Sequence, residues 1–349
     1  MPFVYSSSNT KKEFIHCIMS TNPISVKSDS ESDTSQKVDL VKICEFPEGA
    51  KNRVTVTVGD YKRLKFDTFL NDIIINFDLL HQFYNLPEES QNKIHIYPST
   101  FYERLCSPAR TVAVRNVAGL TKSEIMHLGV KRWTKQIDIF KKELLLIPIC
   151  ENMHWYLVAV IMPGLWHSRN HNDRQESVLV VFDSMGGSRD SAVDNIKNYL
   201  KEELKDKKDI AINSKDRTLV LYPSCPQQKD VTSCGIFILH YASRILSRLS
   251  FHLAVDSYDD LSHWDNRNEI ETKRRKLSEV LLKLCDEQGH RETIEIPQVH
   301  FVRPAANDEF KTEKKEEVTN SQKSQEALLN YINVVKKKQN DFSLIRKYR

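Results

Sequence analysis

Three apolar runs divide the middle of the chain. Residues 144–149 (LLLIPI), 155–162 (WYLVAVIM) and 178–182 (VLVVF) are strand-length and nearly free of polar positions. Continuous apolar runs this short predict central strands buried on both faces. Met162-Pro163-Gly164 closes the second run with turn chemistry. Residues 69–84 (FLNDIIINFDLLHQFY) are too many for one strand and repeat at helical spacing, which predicts a buried helix. Residues 191–204 predict an amphipathic helix with Val193, Ile196, Leu200 and Leu204 inward. Residues 219–222 predict another strand, and residues 235–249 (GIFILHYASRILSRL) a helix that opens directly after Cys234. This order of elements predicts an α+β fold, a central mixed sheet flanked by helices.

The flanks read differently. Residues 1–50 are rich in Ser, Asp, Thr and Lys, with the polar cluster SDSESDTSQK at 28–37. That composition predicts a disordered N-terminal tail. Residues 51–297 form the expected catalytic body. Residues 298–349 are a charged extension with a possible amphipathic helix carrying Leu328, Leu329, Ile332 and Val335 on one stripe.

Composition narrows the function classes. Of 349 residues, 40% are hydrophobic and 28% charged, so a sizeable core is available. A formal charge of +4 gives no case for nucleic acid, which calls for a strongly basic face. No apolar run reaches the roughly eighteen residues of a membrane span. Seven cysteines without regular spacing, and an opening without a secretory pattern, point to free thiols in a reducing compartment.

One of those thiols stands in a chemically special place. Cys234 follows a polar loop (PQQKDVTS) and opens a helix, where the positive end of the helix dipole favours the thiolate. Gly235 leaves the backbone open beside the sulfur. Cys44, Cys106, Cys150, Cys225 and Cys285 lie in apolar or ordinary contexts, and Cys17 in the tail; they read as structural thiols. His154 stands at the mouth of one central strand and Asp183 at the end of the next, before a Gly-rich turn. Singly, His154 reads as a satisfied histidine and Asp183 as a helix cap. Together with Cys234 they read as base, orienting acid and nucleophile. An attacked carbonyl also needs donors for its oxyanion, and a Gln228 side-chain amide with the Cys234 N–H would serve; composition does not choose between Gln227 and Gln228. His252, His263 and Cys285 are too scattered for a zinc site, and no metal or organic cofactor is expected.

FLNDIIINF from Phe69, HWYLVAV from His154, VVFDSMGG from Val180 and PQQKDVTSCGIFIL from Pro226 together resemble the ubiquitin-like protease family, the SUMO-specific cysteine proteases. The resemblance covers about residues 51–290. It implies the papain-like cysteine peptidase fold of that family. It also implies His154 as base, Asp183 as its orienter, Cys234 as nucleophile, Gln228 at the oxyanion, and Trp155 and Phe69 as walls of a narrow tunnel for a Gly-Gly tail. Packing in the core explains Phe69 equally well. Residues 130–163 and HIYPSTFYERL from His95 resemble the branch that edits poly-SUMO chains. The partners implied are SUMO and SUMO-conjugated proteins, with no nucleic acid or membrane, for a chain acting as a monomer. Nuclear placement, with cytoplasm as an addition, follows from the family.

Two positions depart from the family pattern. Asp230 stands near where the family has Asn, and Ser233 where it has Asp before the nucleophile. An altered rate or modifier preference is expected, not loss of activity. NEDD8 is the alternative modifier; a non-catalytic SUMO-binding module and a cysteine acyltransferase are the other readings. Val38-Asp39-Leu40-Val41 resembles a SUMO-interacting motif but reads better as a linker or first strand. Residues 273–276 (KRRK) read better as a solvated helix face than as a nuclear signal.

Overall fold

The computed structural model of the protein describes residues 37–50, 52–107, 119–167, 177–212, 219–247 and 260–302. Its strands are β1 (Lys42–Phe46), β2 (Val54–Thr57), β3 (Ile94–Ile96), β4 (Leu144–Glu151), β5 (His154–Ile161), β6 (Val178–Phe182) and β7 (Leu219–Leu221). The principal helices are α1 (Asp72–Tyr84), α2 (Thr100–Cys106), α3 (Lys122–Val130), α4 (Asp190–Lys208), α5 (Cys234–Leu246) and α6 (Arg267–Glu287).

The three apolar runs are β4, β5 and β6, the centre of a five-stranded sheet in the order β3-β4-β5-β6-β7. The inner pairs are antiparallel and the outer pairs parallel, so the sheet is mixed. Alternate residues of a strand go to opposite faces, and here both faces are covered. Leu144, Leu146, Leu157, Ala159, Val180 and Phe182 pack with α1, α5 and α6. Leu145, Ile147, Ile149, Tyr156, Val158 and Val181 pack with α2, α3 and α4. Two helical layers on one sheet explain why these strands lack the alternation of a half-exposed sheet.

Strand pairing also sets where the polar ends fall. Leu157 opposes Phe182 and Ile161 opposes Val178, so the start of β5 and the end of β6 share one edge of the sheet. Asn152 and Met153 join β4 to β5 with φ of 52° and 62°. Two consecutive left-handed residues make the tight turn that matches strand twist, and they put His154 at the first position of β5.

Three expectations change. First, the N-terminal tail does not extend to residue 50. β1 pairs with β2, and Ile43 and Cys44 are fully buried. The far edge of β1 is satisfied by a side chain just past α6: Glu45 N–H donates to Gln288 Oε1 (2.9 Å), and Gln288 Nε2 to the Glu45 carbonyl (2.8 Å). Five residues with three apolar side chains, two of them adjacent, carry no clear strand alternation until such a partner exists. Val38, Leu40 and Val41 lie just ahead of β1, outside any strand and exposed. Second, the helix expected from residue 69 begins at Asp72. Asn71 Oδ1 accepts from Ile74 N–H (3.2 Å) as its cap, leaving Phe69 and Leu70 in the preceding segment. Third, residues 273–276 are not a uniformly solvated face. Lys273 pairs with the buried Asp78 (2.8 Å), and Arg274 is itself buried.

Residues 1–36 and 303–349, with Cys17 and the stripe from Leu328 to Val335, lie outside the described residues, as does His252. Among the described residues, no helix is long and apolar enough to cross a membrane, and no cluster of His, Cys, Asp and Glu could hold a metal ion. If β1 belongs to the folded body, Ile43→Ala should cost about 2–5 kcal/mol in urea unfolding. A free tail would show no change in the midpoint.

Candidate active site

Asp183 directly follows β6 at 4% exposure, and its charge is met from three sides. His154 Nε2 lies 2.7 Å from Oδ1, Met185 N–H donates to Oδ1 (2.9 Å), and Arg189 grips Oδ2 with Nε (2.8 Å) and Nη2 (2.7 Å). Burial alone would raise this carboxyl. The hydrogen bond and charge of His154, the Arg189 guanidinium and the Met185 N–H outweigh it and hold it below the usual range. An ionised carboxylate only accepts, so Nε2 carries the hydrogen and Nδ1 is the ring's base. Arg189 is held in turn by the Tyr156 ring, 4.6 Å beneath its guanidinium. Gly186 and Gly187, with φ of 72° and 106°, make the turn that brings Arg189 back onto Asp183.

Cys234 is the first residue of α5 and is fully buried. The helix start is pressed against the segment ahead of α1: a Cβ on Gly235 would lie 3.0 Å from Leu70 Cβ. A larger residue there would require Leu70 or Ile75 to give way by a few tenths of an ångström. Trp155 Nε1 donates to the Leu70 carbonyl (3.1 Å), so Trp155 is buried and tied to the same segment, while Phe69 is half-buried beside it. The thiol receives backbone N–H groups from Trp155 and Gly235, yet burial pushes it up to about 11, with Asp230 and Asp183 adding in the same direction. Among the described residues no hydrogen bond joins His154 to Cys234. Burial therefore favours the protonated form of the Cys234 thiol.

The two glutamines separate cleanly. Gln227 Nε2 donates to the carbonyls of Asp183 (3.0 Å) and Cys225 (3.0 Å), which occupies both amide hydrogens. Gln228 is pinned by its N–H to the Ser184 carbonyl (2.9 Å), by Ser184 Oγ to Oε1 (2.6 Å) and by Nε2 to the Asp230 carbonyl (2.7 Å). A carbonyl can only accept, so the amide orientation is determined and one Nε2 hydrogen is left. Tyr241 OH, donating to the Pro226 carbonyl from within α5, anchors the start of this loop.

Sequence reading named the four polar residues and both aromatics as candidates but not the groups that hold them. Arg189 sits in a short polar stretch after the glycines, with nothing periodic to mark it. Arg274 donates to the carbonyls of Arg63 (3.0 Å), Lys65 (3.1 Å) and Thr68 (2.7 Å), stapling the segment that leads to Phe69. Burial brings it down to about 10 while Asp230, Cys234 and Asp67 work the other way, so it stays charged at neutral pH. The only sequence signal was the KRRK run, which suggests exposure.

A mixed sheet with helices on both faces, an imidazole–carboxylate pair at neighbouring strand ends and a thiol at a helix start is the layout of the α+β thiol peptidases. A model of the Ulp1 protease family, C-terminal catalytic domain, matches residues 68–280. The chain belongs to this family. It is 24% identical over 312 residues to ubiquitin-like-specific protease 2 of Schizosaccharomyces pombe, covering 81% of this chain and 46% of that protein. It is 38% identical over 122 residues to mouse sentrin-specific protease 6, covering 34% of this chain and 10% of that protein. The crystal structure of the de-sumoylating protease shares its fold, with a TM-score of 0.55 and 19% identity over 72% of this chain and 97% of that one. The chain spans less than half the length of the curated relatives it matches.

A thiol pushed up to about 11 ionises progressively as pH rises. Iodoacetamide alkylation of Cys234 in the free protein, followed by mass spectrometry of its peptide, should therefore accelerate about tenfold per pH unit from 7 to 9. A plateau below pH 8 would show a thiolate already paired with His154.

Proposed function

We propose that this chain is a cysteine isopeptidase that cleaves SUMO from conjugated lysines. The observation that carries the reading is the buried His154–Asp183 pair at the strand ends beside the helix-start thiol of Cys234, in a chain of the Ulp1 protease family. His154 Nδ1 takes the thiol proton as Cys234 attacks the carbonyl of the modifier's C-terminal glycine. Asp183, with its charge maintained by Arg189, keeps the imidazole oriented and stabilises the imidazolium. The oxyanion is held by the remaining Gln228 Nε2 hydrogen and the Cys234 N–H. His154 then protonates the departing lysine amine and later activates the water that hydrolyses the thioester. No step calls for a metal or cofactor.

Trp155 and Phe69 form the tunnel wall in this reading. Their support is the shared anchor at Leu70, which the indole holds and against which the nucleophile helix packs. A tail without side chains is selected by a slot too narrow for anything larger. Poly-SUMO chains are the finer substrate, supported by the resemblance of residues 130–163 to the chain-editing branch. The chain acts as a monomer in the nucleus in this reading. Residues 273–276 do not supply the address, since Lys273 and Arg274 are engaged within the fold.

A SUMO vinyl-sulfone probe should form one covalent adduct on Cys234 that Cys234→Ala abolishes, while a NEDD8 probe should form none. Failure of the wild-type chain to react under reducing conditions at pH 8 would refute the protease reading; an adduct with NEDD8 alone would move it to that modifier. Gln228→Ala should lower kcat on a SUMO–coumarin substrate by about 10²–10³.

A further inference from the structure

The five residues between Gln228 and Cys234 carry an arrangement that the mechanism above does not use. Helix α5 needs its first N–H groups satisfied, and Ser233, at the cap position, makes no side-chain cap hydrogen bond to them. The loop just ahead is organised instead by Asp230. Its Oδ1 accepts Thr232 N–H (2.9 Å) and Ser233 N–H (2.8 Å), and its Oδ2 accepts Ser233 Oγ–H (2.8 Å). Three donors from the two residues ahead of the nucleophile thus end on one carboxylate. The carbonyl of the same residue accepts Gln228 Nε2 (2.7 Å), and that bond decides which way the amide points. Asp230 therefore touches both halves of the reaction centre, the launch of the nucleophile helix and the oxyanion donor.

We propose that Asp230 is a positioning residue for the reaction at Cys234, its carboxylate fixing Thr232 and Ser233 and its carbonyl aiming the Gln228 amide. The proposal rests on the isopeptidase reading for its kinetic consequences, but not for its structural ones.

The device has a cost that makes it testable. The ionisable groups that act on the thiol are Asp183 after β6, Cys150 from β4, Arg274 from α6, and Asp230 itself. Among them Asp230 is a fixed negative charge working against thiolate formation, and the buried Arg274 is the positive charge opposing it. Asparagine at this position could accept the same two N–H groups through its carbonyl oxygen and donate to Ser233 Oγ, without the charge. Alanine could do neither. Position and charge are thereby separable in two variants.

The test compares Asp230→Ala, Asp230→Asn and Ser233→Ala with the wild type, all as the full chain. Three quantities are read: the pH profile of Cys234 alkylation by iodoacetamide, kcat and KM on SUMO–coumarin, and the thermal midpoint. Asp230→Ala should lose roughly 10²-fold in kcat with KM unchanged within about twofold, the signature of misplacement and not of lost binding. Asp230→Asn should recover most of that loss and alkylate about three- to tenfold faster at pH 7, because a like charge has gone. Ser233→Ala should lose about three- to tenfold in kcat at an unchanged midpoint. Wild-type kcat in Asp230→Ala, or a loss confined to KM, overturns the proposal. If Asp230→Ala does not fold, Ser233→Ala decides: wild-type kcat in that variant overturns the proposal equally. Alkylation needs no protein substrate. A wild type that leaves SUMO intact, beside an Asp230→Ala alkylation profile that differs from that of Asp230→Asn, would sink the isopeptidase reading and leave the positioning role standing.

Discussion

Asp183 holds a negative charge at the end of a strand whose five residues are all apolar and buried. An unpaired carboxylate there would cost several kcal/mol or would take up a proton. The surrounding chain is arranged so that it does neither. Arg189 returns over two left-handed glycines to form a two-point pair, Met185 donates its amide, and His154 offers Nε2. The imidazole's orientation is thus a by-product of satisfying a buried charge, and so is its tautomer. The loop before Cys234 is tethered at the same place: Gln228 Oε1 accepts from Ser184 Oγ, and Gln227 Nε2 donates to the Asp183 carbonyl. The far side of the site is in this sense hung from Asp183 as well.

The nucleophile side follows a different logic. Nothing there pairs charge with charge directly. The thiol is enclosed by α5, by Trp155 and by the segment stapled through Arg274, and enclosure keeps it protonated. A protonated thiol is less open to oxidation than a thiolate. The close approach of Gly235 to Leu70 and the Trp155–Leu70 hydrogen bond make the same segment both a wall beside the sulfur and a brace for the helix that carries it.

Much of this was legible beforehand. The apolar runs at 144–149, 155–162 and 178–182 are strands within a residue or two, because burial on both faces leaves an unambiguous run in the sequence. His154, Asp183 and Cys234 stood out because each is polar or reactive where such a run begins or ends. Errors came where the deciding partner is remote. β1 looked like tail because its burial is supplied by β2 and its edge by Gln288, more than two hundred residues away. Arg274 looked solvated because three of its neighbours in sequence are basic too, whereas three backbone carbonyls from residues 63–68 claim its guanidinium. The helix expected from Phe69 starts three residues later because Asn71 caps it.

The sequence alone determined the family, the α+β class and the central strands, and singled out His154, Asp183 and Cys234 as candidates, since these depend on local periodicity and on side-chain chemistry. Only the tertiary structure decided which glutamine keeps an amide hydrogen to spare, which arginine guards Asp183, and that Asp230 organises the approach to the nucleophile helix. Those outcomes turn on single hydrogen bonds of definite direction between segments distant in the chain or folded back on themselves. A hydrogen bond leaves no period in a sequence, and the same residue types in the same order could have been satisfied by water.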